Sequence, residues 1–177
     1  WGNMGVLIRA YSYIRSMGGE NLKKVSQMAV LNASYIKEKL KSTYHLAYDR
    51  PCMHECVLSD KYQQPQKVAT LDIVKRLMDY GFHPPTVYFP LVVKGAMLVE
   101  PTETESRQTL DEFVDVMKAI SDEAERDADV VHSAPRLTRL RRLDETQAAR
   151  KPVLRWRAPE TPSEPSSASG ETAETRP

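Results

Sequence analysis

The segment "PCMHEC" places two thiols and an imidazole, Cys52, His54 and Cys56, at alternate positions. Thiolate sulfur and imidazole nitrogen are ligands that zinc prefers, so these three residues raise the question of a metal. On an extended strand all three would point to one side. A structural zinc site needs four ligands, however, and the chain holds only two cysteines. Three ligands along one strand also cannot easily surround an ion. The expectation is no metal, with the cysteines serving as small core residues. His54 and Glu55 are adjacent, so on a strand they face opposite sides and are not expected to act as a direct pair.

A second imidazole, His83, lies in "MDYGFHPPTVYFP". Pro84 disfavours the helical region at His83, and Pro85 does the same to Pro84. This is either a rigid exit from a helix or a stiff segment that holds an imidazole at a mouth or interface. A third stretch, "EPTETES", joins a strand to a helix start, where free backbone N–H groups can bind an anion. Its own glutamates already satisfy that end, so spacing alone favours a capping box. Glycine-rich phosphate loops, nucleophile elbows and triad signatures are absent from the sequence.

The elements around these residues follow from periodicity. Leu7, Ala10, Tyr11, Ile14 and Met17 fall at helical spacing, and Gly18 and Gly19 stop that helix. Leu22, Val25, Ala29, Ala33, Ile36 and Leu40 line one face of a second helix. "YHLAYD" and "MHECVLSD" read as strands, and "SDKYQQPQKVA" as a loop. Residues 70–80 read as a helix capped by Thr70 and closed by Gly81. "AMLVE" reads as a strand. Thr102 and Glu105 match a capping box ahead of a helix that runs to about Arg126. The order predicts an α/β or α+β layer, a small sheet with helices on one face.

At 177 residues the chain allows one ordinary domain and a tail. Its net charge of +1 points to no class of partner. Two cysteines are too few for a disulfide framework and suggest a reduced, cytoplasmic setting. There is no apolar run of about 18 residues, so no membrane span is expected. The opening "WGNMGVLIRAYSYIRSMGG" looks cut from a longer chain. Residues 136–157 carry seven arginines and one lysine. Leu137, Leu140, Leu143, Val153, Leu154 and Trp156 are interleaved with them, which favours packing on protein over nucleic acid. A stand-alone protein- or nucleic-acid-binding module built on this segment is the alternative reading. Residues 158–177 hold no aromatic or large aliphatic side chain and are expected to be disordered.

The strings "VLNASYIKEKL", "DRPCMHECVLS", "DIVKRLMDYGFHPPTVYFPLVV" and "MLVEPTETES" resemble, in this order, the C-terminal part of glycine dehydrogenase (decarboxylating). This is the P-protein family of the glycine cleavage system, and the likeness is greatest to subunit 2 of its split bacterial form. It runs from Trp1 to about Trp156. The resemblance implies a fold-type I enzyme using pyridoxal 5'-phosphate. Such an enzyme decarboxylates glycine and passes an aminomethyl group to the lipoyl arm of H-protein. Implied partners are subunit 1, a second copy of the heterodimer and H-protein, with neither nucleic acid nor membrane.

The family's Schiff-base lysine stands in a His-Lys-Thr context that this sequence lacks. That lysine is therefore expected upstream of Trp1, and no catalytic residue is assigned here. On this resemblance, residues 1–42 would end the large domain and 43–130 would form the small domain. Residues 131–157 would be a basic extension packed on protein. Candidates to face the cofactor cleft are His83, Thr86 and Glu103, ahead of His54 and Glu55.

Overall fold

Residues 2–156 are described by the computed structural model. They divide into two units after Arg142. The second unit contains one short helix, α5 (Glu145–Arg150), whose first turn is capped by Asp144 accepting the Gln147 N–H. The first unit holds the sheet and the other helices.

Helix α1 (Met4–Leu40) is broken at Gly18, where φ is +69°. The glycine pair announced this break, because L side chains rarely adopt that angle. Beyond it, Asn32, Ala33, Ile36, Lys37 and Leu40 form the buried face. Before it, Met4, Leu7, Ile8, Tyr11 and Ile14 are all exposed.

Four strands follow: β1 (His45–Leu46), β2 (Cys56–Ser59), β3 (Thr86–Val87) and β4 (Ala96–Val99). They form one antiparallel sheet in the order β1-β2-β4-β3. The register sets Cys56 opposite Val99 and Leu58 opposite Met97. These four side chains share one face and join the core with Ile36, Leu40, Leu77, Leu110 and Met117 from the helices. Val57, Leu98 and Thr86 point to the other face and remain partly or fully exposed. The expected sheet with helices on one face is thus observed.

The strands are shorter than the sequence suggested. Residues 44–49 and 53–60 were both expected to be extended, but only 45–46 and 56–59 pair. Tyr44 is withdrawn into the core, where its hydroxyl donates to the Met117 carbonyl at 2.8 Å. The ammonium of buried Lys37 holds the Arg50 carbonyl at 3.1 Å and ties down the loop. Cys52, His54 and Glu55 consequently lie off the strand. The loop after β2 is wound into two 3-10 turns, Asp60–Tyr62 and Gln64–Gln66.

Helix α2 (Thr70–Asp79) starts one residue differently from the expectation. Its cap position is Ala69, and Thr70 is its first residue. The oxygen that a cap would supply comes from elsewhere. Buried Asp60 accepts the Thr70 N–H at 2.9 Å and its hydroxyl at 3.1 Å, while Asp72 accepts the Ala69 N–H. A carboxylate here also meets the positive end of the helix dipole. The helix closes as expected at Gly81, φ +84°. Gly81 donates to Met78 and Phe82 donates to Leu77, the paired bonds of a Schellman ending.

Helix α3 (Arg107–Arg126) also starts later than the capping-box pattern predicted. Thr102 does not cap it. Its hydroxyl pairs with Thr104, and its carbonyl accepts from the Asn32 amide at 2.9 Å. Ser106 caps instead, accepting the Thr109 N–H at 3.1 Å. Leu110, Val114, Met117, Ile120 and Ala124 form the buried stripe. Phe113 meets Phe82 edge to face, with ring centroids 5.6 Å apart.

Arg76 and Glu123 join α2 to α3 through two N–H···O bonds of 2.8 Å. The guanidinium, above all, holds the Glu123 carboxyl below its ordinary value. A depressed folded-state value means that this stabilisation is fully present above the unfolded carboxyl value and is lost as pH falls through the lower folded-state value. Arg76→Ala is therefore expected to cost about 1–3 kcal/mol at pH 7. It should also flatten the loss of stability between about pH 5 and 3, read by urea titration across that range. An unchanged pH slope would show that the pair contributes nothing.

A short helix α4 (Ala128–His132) leads into the basic segment. Asp79 accepts the backbone N–H groups of Arg136 and Leu137, and Arg142 bonds Asp72 at 2.7 Å. Leu137, Leu140, Leu143, Val153, Leu154 and Trp156 are exposed. The expectation of disorder for residues 158–177 lies outside the described residues. Among those described, no helix is long and apolar enough to cross a membrane.

Candidate functional site

The stiff exit after α2, the end of β4 and the start of α3 enclose a cleft of about 450 Å³. The Schellman ending turns the chain at Gly81, and the Phe82–Phe113 contact pins the exiting segment to α3. His83, Pro84, Pro85 and Thr86 then run along the cleft wall. Glu100, Thr102 and Glu105 face them from the turn between β4 and α3. Ile36, Leu110 and Phe113 supply the apolar floor.

Two of the leading candidates are thus brought together. His83 and Thr86 both line the cleft and are exposed. No hydrogen bond within the described residues engages the His83 side chain, which leaves the imidazole available. Glu103 is placed differently. Its carboxylate accepts from the Tyr13 hydroxyl at 2.8 Å, so it ties the first half of α1 to the 102–105 turn. That bond keeps the proton on Tyr13 and raises its pKa.

His54 and Glu55 correct an expectation. They were not expected to meet, because neighbours on a strand face opposite ways. They lie before β2 begins, where the chain bends, and His54 Nε2 comes within 3.8 Å of Glu55 Oε2. The same nitrogen lies 3.8 Å from Glu100 Oε1. Periodicity missed Glu100. The signal was present in the register, since Cys56 opposite Val99 places residue 55 opposite residue 100.

The cysteines do not act together with His54. Cys56 is buried in the core, and burial pushes its thiol up to about 12. Cys52 is half-buried, with its sulfur 3.5 Å from the Ser34 hydroxyl. Of the two, only Cys56 sits on a strand, so the one-sided Cys-His-Cys row does not form.

The cleft's polar groups are two carboxylates, threonine hydroxyls near its rim and one imidazole, with no lysine or arginine in its lining. Such a set favours a cationic amine over a phosphate, which would meet two carboxylates and no lysine or arginine.

Residues 25–137 match the family model of the glycine dehydrogenase C-terminal domain. The chain is 54% identical over 156 residues to a probable glycine dehydrogenase (decarboxylating) subunit 2 of Caldanaerobacter subterraneus subsp. tengcongensis. It is 55% identical over the same length to the proteins of that description from Listeria welshimeri serovar 6b and Bacillus velezensis. Each comparison covers 88% of this chain and 32% of the relative. The chain therefore spans about a third of the length of the curated relatives it matches. Nothing in these likenesses supports a stand-alone binding module built on residues 136–157.

Proposed function

Because the chain belongs to the glycine dehydrogenase C-terminal domain family, we propose that its first unit forms one wall of the substrate cleft of a glycine-decarboxylating enzyme. One observation carries this reading. A single cleft gathers His83, Thr86, Glu100 and Glu105 on a surface stiffened by two prolines.

Pyridoxal 5'-phosphate is the cofactor that such an activity implies. The cleft lining does not fit that group unaided. It has no lysine or arginine to meet a phosphate and no amine to link to an aldehyde. We therefore assign the holding of that group to the part of such enzymes that this chain does not span. The residues present have other work. The apolar floor excludes water, which strengthens polar contacts at the wall. Glu105 attracts the ammonium of a small amino acid, and His83 offers a hydrogen bond from a stiff backbone.

Subunit 1, a second copy of the heterodimer and the lipoyl arm of H-protein are the proposed partners. The cytoplasm is the proposed compartment, where Cys52 and Cys56 stay reduced. On the same reading, residues 1–42 close the large domain, 43–130 form the small one, and 131–157 pack on protein through their exposed apolar side chains.

The test is glycine–bicarbonate exchange. The 177-residue chain alone should give none. The complete subunit carrying this sequence, coexpressed with subunit 1 and supplied with lipoyl H-protein, should give exchange. Failure of that assembly, with each member folded, sinks the reading. Exchange by the chain alone would overturn the assignment of the cofactor to residues elsewhere.

A further inference from the structure

Glu55 and Glu100 stand opposite one another, one step past the last pair of the β2–β4 ladder. Like charges in that position repel and destabilise a sheet. Neither carboxylate has a lysine or arginine ion-pair partner among the described residues, and each is approached only by His54. The three ligand atoms, one imidazole nitrogen and two carboxylate oxygens, lie within 4.8 Å of one another.

We propose that His54, Glu55 and Glu100 bind a divalent transition-metal cation of the zinc class. Imidazole suits zinc and its neighbours in the first row, and carboxylates complete the ligand set. Bonds of about 2.1 Å in a tetrahedral arrangement place ligand atoms about 3.4 Å apart. The two 3.8 Å separations approach that value, and all three side chains can turn, being at least 38% exposed. A dication removes the repulsion that the register creates, which the single positive charge of a protonated imidazole does only in part.

Three protein ligands leave a coordination position for water or an anionic group. Glu100 also lines the cleft, so the ion would sit at its rim. The site differs from the Cys-His-Cys row weighed from the sequence, because Cys56 is buried and Cys52 faces Ser34. It does not rest on the glycine-decarboxylating reading, and its test does not measure activity.

The experiment is a calorimetric titration of the metal-free full chain with Zn²⁺. One equivalent is expected to bind. His54→Ala and Glu100→Gln should each weaken binding by about tenfold or more. Glu55→Gln should weaken it likewise, and Cys52→Ala should leave it unchanged. Imidazole NMR of the unsubstituted chain gives a reading independent of any folding defect. Zn²⁺ should move the His54 ring signals and leave those of His45, His83 and His132 in place. The proposal is overturned by no binding up to about 1 mM Zn²⁺, by unaltered affinity in a folded His54→Ala chain, by loss of binding in Cys52→Ala, or by signals that move at another histidine.

Discussion

Replacing His83 by alanine in the complete enzyme is expected to lower turnover by on the order of 100-fold, the low end of what a positioned imidazole contributes. Folding stability should change by less than about 0.5 kcal/mol, as for an ordinary surface substitution. The two expectations separate because His83 is exposed, makes no hydrogen bond within the described residues and still lines the cleft. A residue that merely ends a helix would show the reverse. The helix end here is held by Gly81 and by the Phe82–Phe113 contact, neither of which needs the imidazole. His83→Gln should restore part of the turnover if a hydrogen bond is the contribution. It should restore none if a proton is transferred. Steady-state kinetics paired with thermal melts decide the matter, and unchanged turnover in folded His83→Ala would refute the site role.

The second large effect is structural. Gly95→Ala is expected to destabilise the chain by about 3–5 kcal/mol, a large share of a typical domain's stability. Gly95 has φ +65°, and a Cβ built there lies 2.1 Å from Asp60 Oδ1. The unfavourable angle costs about 1–2 kcal/mol. Moving Asp60 adds about 2–3 kcal/mol, because hydrogen bonds to a buried charge are each worth about 1.5–3 kcal/mol. Asp60 holds Gln64, the Thr70 amide and the Thr70 hydroxyl, and Thr70 also bonds the Gly95 carbonyl at 2.7 Å. One substitution therefore loosens the end of β2, the start of α2 and the start of β4 together. The melting temperature of the full chain should fall by about 6–20 °C. A fall of under about 2 °C would mean that the contact is not made as described.

Much of this architecture was legible in the sequence, for identifiable reasons. The break at Gly18, the closure at Gly81 and the stripe of α3 each follow from local rules of angle or period. The start of α2 was misplaced because it is satisfied by a distant group, and that of α3 because Thr102 is engaged elsewhere and Ser106 caps in its place. Asp60 takes the role assigned to Thr70 from the sequence, and Asn32 claims the carbonyl of Thr102. Strand β3 was missed because its two residues follow a pair of prolines and have no alternation to reveal them. His83 and Thr86 were candidates through family likeness, and their common cleft required the tertiary turn at Phe82. The meeting of His54 with two glutamates was invisible to periodicity, since it depends on where pairing stops and not on where it runs.

The bonds that seat the second half of α1 and the turn after it have a consequence during synthesis. Asn32 waits for Thr102, Tyr44 for Met117 and Tyr35 for Asp111, partners 70, 73 and 76 residues further along the chain. At about 5–20 residues per second, a ribosome takes about 4–15 s to deliver them. Through that interval Ile36, Leu40 and Tyr44 lack the α3 side chains that complete their core, although each is fully buried at the end. The nascent chain thus presents an incompletely covered apolar ridge for seconds. That is a surface of the kind a chaperone at the tunnel exit could cover until α3 emerges.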